Sequence, residues 1–360
     1  MPNFAPAPPQ TPNNMTDWNT LSLARKIAYT TAGVLLVLMT VGIFLPATAH
    51  IERKVGINAP PAIVFALVND FRQINQWSPW LDTDPNALHT ISGPARGVGA
   101  KQSWDGQIVG QGSQVILESE PFYRVVSELD LEGQGRALGT FELLQTEKGT
   151  NVTWSFDNDF GWNLVGRYFG LMLDGIVGPD YEKGLQNLKT MAEHLPQTDF
   201  SDVEIEHQTV EAMDIVFLPT TSVPEAAAIS EALGDAYFEI LNFIDKHDLQ
   251  EAGAPISISG SFNGSELQFD AAVPIRGLTD NTARNDTGVQ IGRSYAGRVI
   301  RVKHVGTYRS LGRTHDKIAA YLAALGIQRN GNPWESYVSD PTRVPADELL
   351  TYVYYPIIGQ

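Results

Sequence analysis

Residues 178–192, GPDYEKGLQNLKTMA, decide the first half of the fold. Asp180 and Glu182 stand where a new first helical turn would begin, a favourable place for negative charge at the positive end of a helix. Tyr181, Leu185, Leu188 and Met191 follow at three- and four-residue spacing, which gives one apolar stripe. The pattern predicts a helical stretch over 164–194, interrupted at Gly178-Pro179. A helix with one apolar stripe needs a surface to cover it, and the upstream sequence supplies one. Val55 and Ile57 alternate as a strand that stops at Asn58-Ala59-Pro60-Pro61, and a short helix over 62–69 follows with Ile63, Val64, Leu67 and Val68 on its apolar face. Short strands then separate at Gly or acidic turns, at 106–109, 113–118, 124–131, 140–145 and 151–157. The expectation for residues 51–195 is a curved antiparallel sheet gripping a terminal helix.

Ahead of this block, residues 27–49 carry no charge, with Arg25 and Lys26 before them and Glu52, Arg53 and Lys54 after. A run of that length exceeds the ~20 residues a helix needs to cross a hydrocarbon core. The expectation is one membrane-spanning helix over 27–49, preceded by a Pro- and Asn-rich tail over 1–26 that cannot bury a core. Ala47-Thr48-Ala49 also fits the small-residue rule of a signal-peptide cleavage site, but the apolar run is longer than a ~7–15-residue signal core. Two Lys/Arg flank each side, so the flanking charges do not orient the helix; the expected placement of the body is non-cytoplasmic. A linker over 196–202, Pro-Gln-Thr-Asp-Phe-Ser-Asp, separates the first block from a second over 203–360.

The second block reads as a duplication. Val273-Pro274-Ile275-Arg276-Gly277 recurs as Tyr355-Pro356-Ile357-Ile358-Gly359, each closing a strand-like run. Upstream of each lies a strand and one amphipathic helix. The first helix starts at Pro224 with Ile229, Leu233, Tyr237, Ile240, Leu241 and Ile244 as its apolar face. The second runs over 311–325 with Ile318, Leu322 and Leu325. Two strand–helix–strand–strand units predict two sheets related by a pseudo-two-fold, with a cleft at the join. The fold class is therefore α+β in both blocks.

Two resemblances follow from named residues. Ile57-Asn58-Ala59-Pro60, Val64-Phe65, Trp77-Ser78-Pro79-Trp80 and Gly178 through Leu185 resemble the polyketide cyclase/START-like (SRPBCC) superfamily. That likeness implies an apolar cavity between sheet and terminal helix for lipids or other hydrophobic molecules. His304-Val305-Gly306-Thr307-Tyr308, Asn332-Pro333-Trp334-Glu335-Ser336-Tyr337, Asp340-Pro341 and the stretch from Tyr352 through Pro356 resemble the gyrase-inhibitor-like (GyrI-like) domain, the effector-binding domain of AraC- and MerR-type regulators. That likeness implies a pocket where an acidic residue meets bulky, often cationic aromatic ligands, and by position the acid is Glu335.

Strand parity puts Glu335 and Tyr337 on one face and Trp334 and Ser336 on the other, while Tyr352 and Tyr354 share a face. The candidate ligand-binding set is Glu335, Tyr337, Trp334, Tyr308, Tyr352 and Tyr354, because a carboxylate among tyrosines attracts a ligand cation by charge and by cation–π contact. The expected function is a membrane-anchored, non-catalytic binding protein for hydrophobic or amphipathic small molecules. The alternative is a hydrolase of electrophilic small molecules with Glu335 as general base, since some GyrI-like relatives hydrolyse reactive electrophiles. His304 has no second ligand at metal spacing and reads as structural. No cofactor or metal is expected.

Composition narrows the classes further. The 360 residues contain no cysteine, which excludes disulfides, thiolate metal sites and a cysteine nucleophile. The net charge is −16. The acidity belongs to both blocks, with 11 bases against 20 acids over 51–202 and 12 against 20 over 203–360. Phosphate contacts need a Lys/Arg excess on some face, so no nucleic-acid partner is expected.

Overall fold

A computed structural model describes residues 22–131, 135–279, 285–286 and 288–358. Its first element is α1 (Leu23–Phe44), 22 residues long and apolar enough to span a membrane. It begins four residues before the expected span and stops at Phe44, five residues before that span's end, because Leu45 is already extended. Then comes β1 (Thr48–Ile57), followed by α2 (Pro61–Val68), α3 (Phe71–Trp77) and α4 (Pro79–Thr83). The strands β2 (Leu88–Ser92), β3 (Lys101–Gly106), β4 (Gly110–Glu120), β5 (Arg124–Leu131), β6 (Gly135–Thr146) and β7 (Gly149–Asp159) form one antiparallel sheet with β1, in the order β1-β7-β6-β5-β4-β3-β2. The short helix α5 (Leu164–Gly170) leads into α6 (Leu173–His194).

The apolar stripe on α6 does what its spacing requires. Tyr181, Leu185 and Leu188 are buried, and α6 packs along β1. Two expectations fail here. Residues 107–109, placed in a strand by sequence, form the tight turn between β3 and β4. The helix also does not break at Gly178-Pro179: α6 runs through them, and the chain bends instead between α5 and α6. Arg53 of β1 explains the glycine. A Cβ at residue 178 would stand 2.2 Å from its guanidinium, which ion-pairs with Asp174 and Glu182 of the same helix.

The second block contributes β8 (Ile205–Val210), β9 (Asp214–Ser222), α7 (Ala226–Lys246), β10 (Gln250–Glu251), β11 (Ile256–Phe262), β12 (Leu267–Arg276), β13 (Asn285–Asp286), β14 (Val289–Arg293), β15 (Gly297–Val305), α8 (Leu311–Ala324), β16 (Trp334–Tyr337) and β17 (Leu350–Pro356). The order is β13-β14-β9-β12-β11-β16-β17-β15-β8, with β10 attached to β12. The two halves meet where β11 pairs with β16, so they form one continuous sheet and not the two separate sheets expected. Backbone pairing across that seam leaves no free edge at the join. On α7, Leu233, Ile240 and Ile244 are buried, while Leu241, counted with the apolar face by spacing, is exposed.

The blocks share a core. Buried residues of α2, α3, β7 and α6 form one cluster with those of β15, α8 and β17. At this seam the Gln73 amide donates to the Leu325 carbonyl, 2.9 Å, in a buried position. Arg96 donates to the Tyr321 hydroxyl at 2.9 Å, and Lys317 pairs with Asp202 of the connecting segment at 2.6 Å.

Candidate functional site

Glu335 lies on β16, beside the seam, and faces the helices. Its strand neighbours are Ser257 of β11 and Val353 of β17. One carboxylate oxygen accepts from the Tyr337 hydroxyl at 2.5 Å. The other lies 2.8 Å from Nε2 of His315 on α8, and His315 Nδ1 is 2.8 Å from the Tyr355 hydroxyl. One tautomer satisfies the whole chain: Tyr355 donates to Nδ1, Nε2–H donates to Glu335, and Tyr337 donates to the second oxygen. The side chain of Glu335 keeps 18% of its exposure and that of His315 23%, so solvent reaches both.

No Lys or Arg among the described residues pairs with Glu335. Its charge is instead felt by the surrounding phenols. Burial first, and then the Glu335 carboxylate, push the Tyr337 and Tyr237 hydroxyls far above the ordinary tyrosine value. Tyr308 is also raised, by burial and then by Asp340 and Glu335. Tyr355 is pushed up to about 12, chiefly by burial, with Arg329 opposing and Glu335 adding. Each phenol is held neutral and available as a donor or a ring face. Tyr308 meets Tyr337 edge-on at 5.3 Å, and Tyr237 of α7 donates to the Ile256 carbonyl at 2.9 Å. The helices α7 and α8 thus each place one polar ring toward the seam.

The six residues singled out by sequence divide between two faces. Glu335, Tyr337 and Tyr308 are together on the helix side. Trp334, Tyr352 and Tyr354 are on the opposite side, because Trp334 pairs with Tyr354 and Ser336 with Tyr352, and directly paired residues point the same way. Trp334 and Tyr354 stack at 4.8 Å with planes 6° apart. They line an open cleft of about 400 Å³, with Tyr295, Ile256, Ile258 and Met213 around them and Glu211 and Arg293 among its polar groups. Tyr352 instead lies under Arg301, 4.7 Å from ring to guanidinium, and Arg301 pairs with Glu206.

His315 went unnoticed in the sequence. It sits in Arg313-Thr314-His315-Asp316 with no motif around it, and only the packing of α8 on the sheet brings it to Glu335. His304 is buried and bonded to Thr314 at 2.8 Å, with Ser310 and Thr307 on its other nitrogen.

In the first block, the space between sheet and α6 is packed with rings. Trp154 stacks on Tyr181 at 3.8 Å and on Phe141 at 4.9 Å, and Trp77 and Trp80 meet it edge-on. A Cβ at Gly184 would lie 2.8 Å from Trp154, so the helix approaches as closely as a residue without a side chain allows. Trp162 lies outside this cluster and is 83% exposed.

Comparison with known proteins gives the segment before residue 194 a family likeness. Residues 48–193 match the family described as polyketide cyclase/dehydrase and lipid transport. That is less than half of the chain. A search of curated proteins returns no match. Among solved structures, the EcmrR C-terminal domain is similar over 44% of this chain and 99% of its own, at 12% identity and a TM-score of 0.36. An EcmrR–DNA complex is similar over 54% and 69%, at 13% and 0.38. A hydrolase from Listeria innocua is similar over 43% and 92%, at 13% and 0.33.

Proposed function

We propose that this chain is a membrane-anchored binding protein whose second block takes amphipathic, cationic aromatic small molecules at Glu335. The observation that carries this reading is a partly solvent-reached carboxylate ringed by Tyr337, Tyr308 and His315, with no Lys or Arg among its described partners. A ligand cation would supply the missing charge, and the phenol rings would supply cation–π contact of about 0.5–2 kcal/mol. The strand–helix–strand–strand order on each side of the β11–β16 seam supports a duplicated unit with its site at the join. Retention of the anchor is supported by the backbone around the alternative cleavage site. Ala47 accepts from the Phe160 amide at 2.7 Å, and Thr48 already pairs with Asp159, so cutting there would remove part of the first sheet.

The test is titration of the full chain in detergent with methyltriphenylphosphonium, against the Glu335→Gln variant. Glutamine can still accept from Tyr337 and meet His315, so the fold survives while the charge is lost. The expected loss of affinity is about tenfold to a hundredfold, about 1.4–2.7 kcal/mol. Equal binding by both proteins refutes the site.

The His315–Glu335 contact favours a second reading, hydrolysis with Glu335 as base, because the histidine orients the carboxylate toward a reachable face. Turnover of an electrophilic substrate that vanishes in Glu335→Gln would establish it. Unchanged turnover in that variant would remove Glu335 from such a mechanism.

A further inference from the structure

The end of α1 is built into the first block. Gly42 is the one buried residue of α1, and a Cβ there would lie 3.2 Å from Leu164 and 3.3 Å from Tyr168, both on α5. The Tyr168 hydroxyl donates to the carbonyl of Leu38 at 2.7 Å. The buried Arg167 guanidinium donates to the carbonyls of Ile43 and Leu45, at 2.9 and 3.1 Å, and to Gly161 at 2.6 Å. The Ile43 and Leu45 carbonyls are ones that the end of α1 leaves unpaired, and a cation there also complements the helix dipole. Thus α5 lies beside the last two turns of α1, not beyond them.

Length arithmetic then places α5 relative to a bilayer. From Ile27, the first residue past Lys26, to Leu38 the helix rises only about 18 Å, whereas a hydrocarbon core is about 30 Å thick. From Ile27 to Phe44 it rises about 27 Å. A bilayer crossed by α1 must therefore extend past Leu38 and reach the level of α5. The sequence of that level fits. Residues 160–173, FGWNLVGRYFGLML, contain no acid and one base, Arg167, whose guanidinium is turned inward onto the α1 carbonyls. Trp162, Val165, Leu171 and Met172 are all well over half exposed, with Phe169 beside them. Large exposed apolar patches mark interaction surfaces, and Trp is enriched at the headgroup boundary. Here the Arg167 guanidinium lies 5.7 Å from the Trp162 ring.

We infer that α5 and its flanks, from Trp162 to Met172, form an interfacial platform embedded in the same phospholipid bilayer that α1 crosses, fixing the first block rigidly against the membrane. This rests on the reading of α1 as a retained membrane span.

The absence of cysteine makes the test direct. Val165→Cys and Met172→Cys, with Leu36→Cys in α1 and Leu144→Cys at the far end of β6 as references, are labelled with an environment-sensitive fluorophore. The full chain is reconstituted in phosphatidylcholine/phosphatidylglycerol vesicles, and quenching by bromolipid and by aqueous dithionite is read. Labels at 165 and 172 should follow the label at 36, several-fold more quenched by bromolipid than the label at 144 and shielded from dithionite. If 36 is quenched by lipid while 165 and 172 behave like 144, the platform is refuted and the span stands. Labels at 165 and 172 shielded from both quenchers would mean a protein–protein contact and also refute it. No lipid quenching at 36 overturns both readings.

Discussion

Replacing Arg167 by methionine should loosen the joint between α1 and the folded body. The residue is 9% exposed, and its side chain makes four bonds of 3.1 Å or less, to Ile43, Leu45 and twice to Gly161, with a longer one of 3.4 Å to Gly42. Hydrogen bonds from a charged donor contribute about 1.5–3 kcal/mol each in isolation. These four share one guanidinium and do not add, and water can take over part of the exposed carbonyl surface. The expected loss is therefore about 2–4 kcal/mol of stability for the first block. Methionine keeps the stem's packing volume, so the loss reads the polar contacts and not a cavity. Arg167→Lys should recover less than half, because a single ammonium cannot reach the Gly161 and α1 carbonyls together. The assay is denaturant unfolding of the full chain in detergent micelles, with protease cleavage between residues 44 and 48 as the local readout. A change below about 0.5 kcal/mol, the size expected of an ordinary surface substitution, with no new cleavage, would refute the reasoning that Arg167 holds the helix end.

Three further outcomes follow from the packing. Gln73→Ala leaves the buried Leu325 carbonyl without its donor and should cost about 1–3 kcal/mol, read as a lower denaturant midpoint for the shared core; an unchanged midpoint would mean that the two blocks do not unfold as one. Gly184→Val forces a side chain into Trp154 and Pro79 and should destabilise by at least about 1–3 kcal/mol, visible as lost near-ultraviolet tryptophan dichroism; retained dichroism and stability would argue for spare room between sheet and α6. Asp70, buried at the start of α3, has its carboxyl pushed above the ordinary value by burial, against the opposing Arg72 amide bond. The native state then holds that proton longer than the unfolded chain, so its contribution is full below the ordinary carboxylate range and is lost as pH rises through the raised value. Asp70→Asn, which can still cap the helix, should therefore gain on the wild type as pH rises from about 4 and level off above; a pH-independent difference in unfolding midpoint would refute this.

Periodicity made the helices legible. Tyr181, Leu185 and Leu188 of the α6 stripe are buried with Met191 partly so, and Ile318 and Leu322 of α8 are buried with Leu325 at its C-terminal cap, because a helix face is set by local geometry alone. Strand parity correctly separated Trp334 from Glu335 for the same reason. What depended on a partner strand was not legible. That Tyr352 and Tyr354 share the Trp334 face follows from the register of β17 against β16, which no local pattern specifies. The start of β1 at Thr48 depends on pairing with β7. The uninterrupted α6 shows tertiary packing overriding a local break signal, since the sheet, through Arg53, holds the helix on both sides of Gly178-Pro179. His315 needed the α8-to-sheet packing before it could be seen as the partner of Glu335.

The central claim is that the Glu335 cluster recognises positive charge on an aromatic body. It is tested most directly by comparing methyltriphenylphosphonium with triphenylphosphine oxide, two ligands of similar shape that differ in charge. Titration of the full chain should show the cation binding at least about tenfold more tightly, with the preference shrinking at high salt and disappearing in Glu335→Gln. Equal affinity for the two ligands, or a preference that survives Glu335→Gln, would contradict the account.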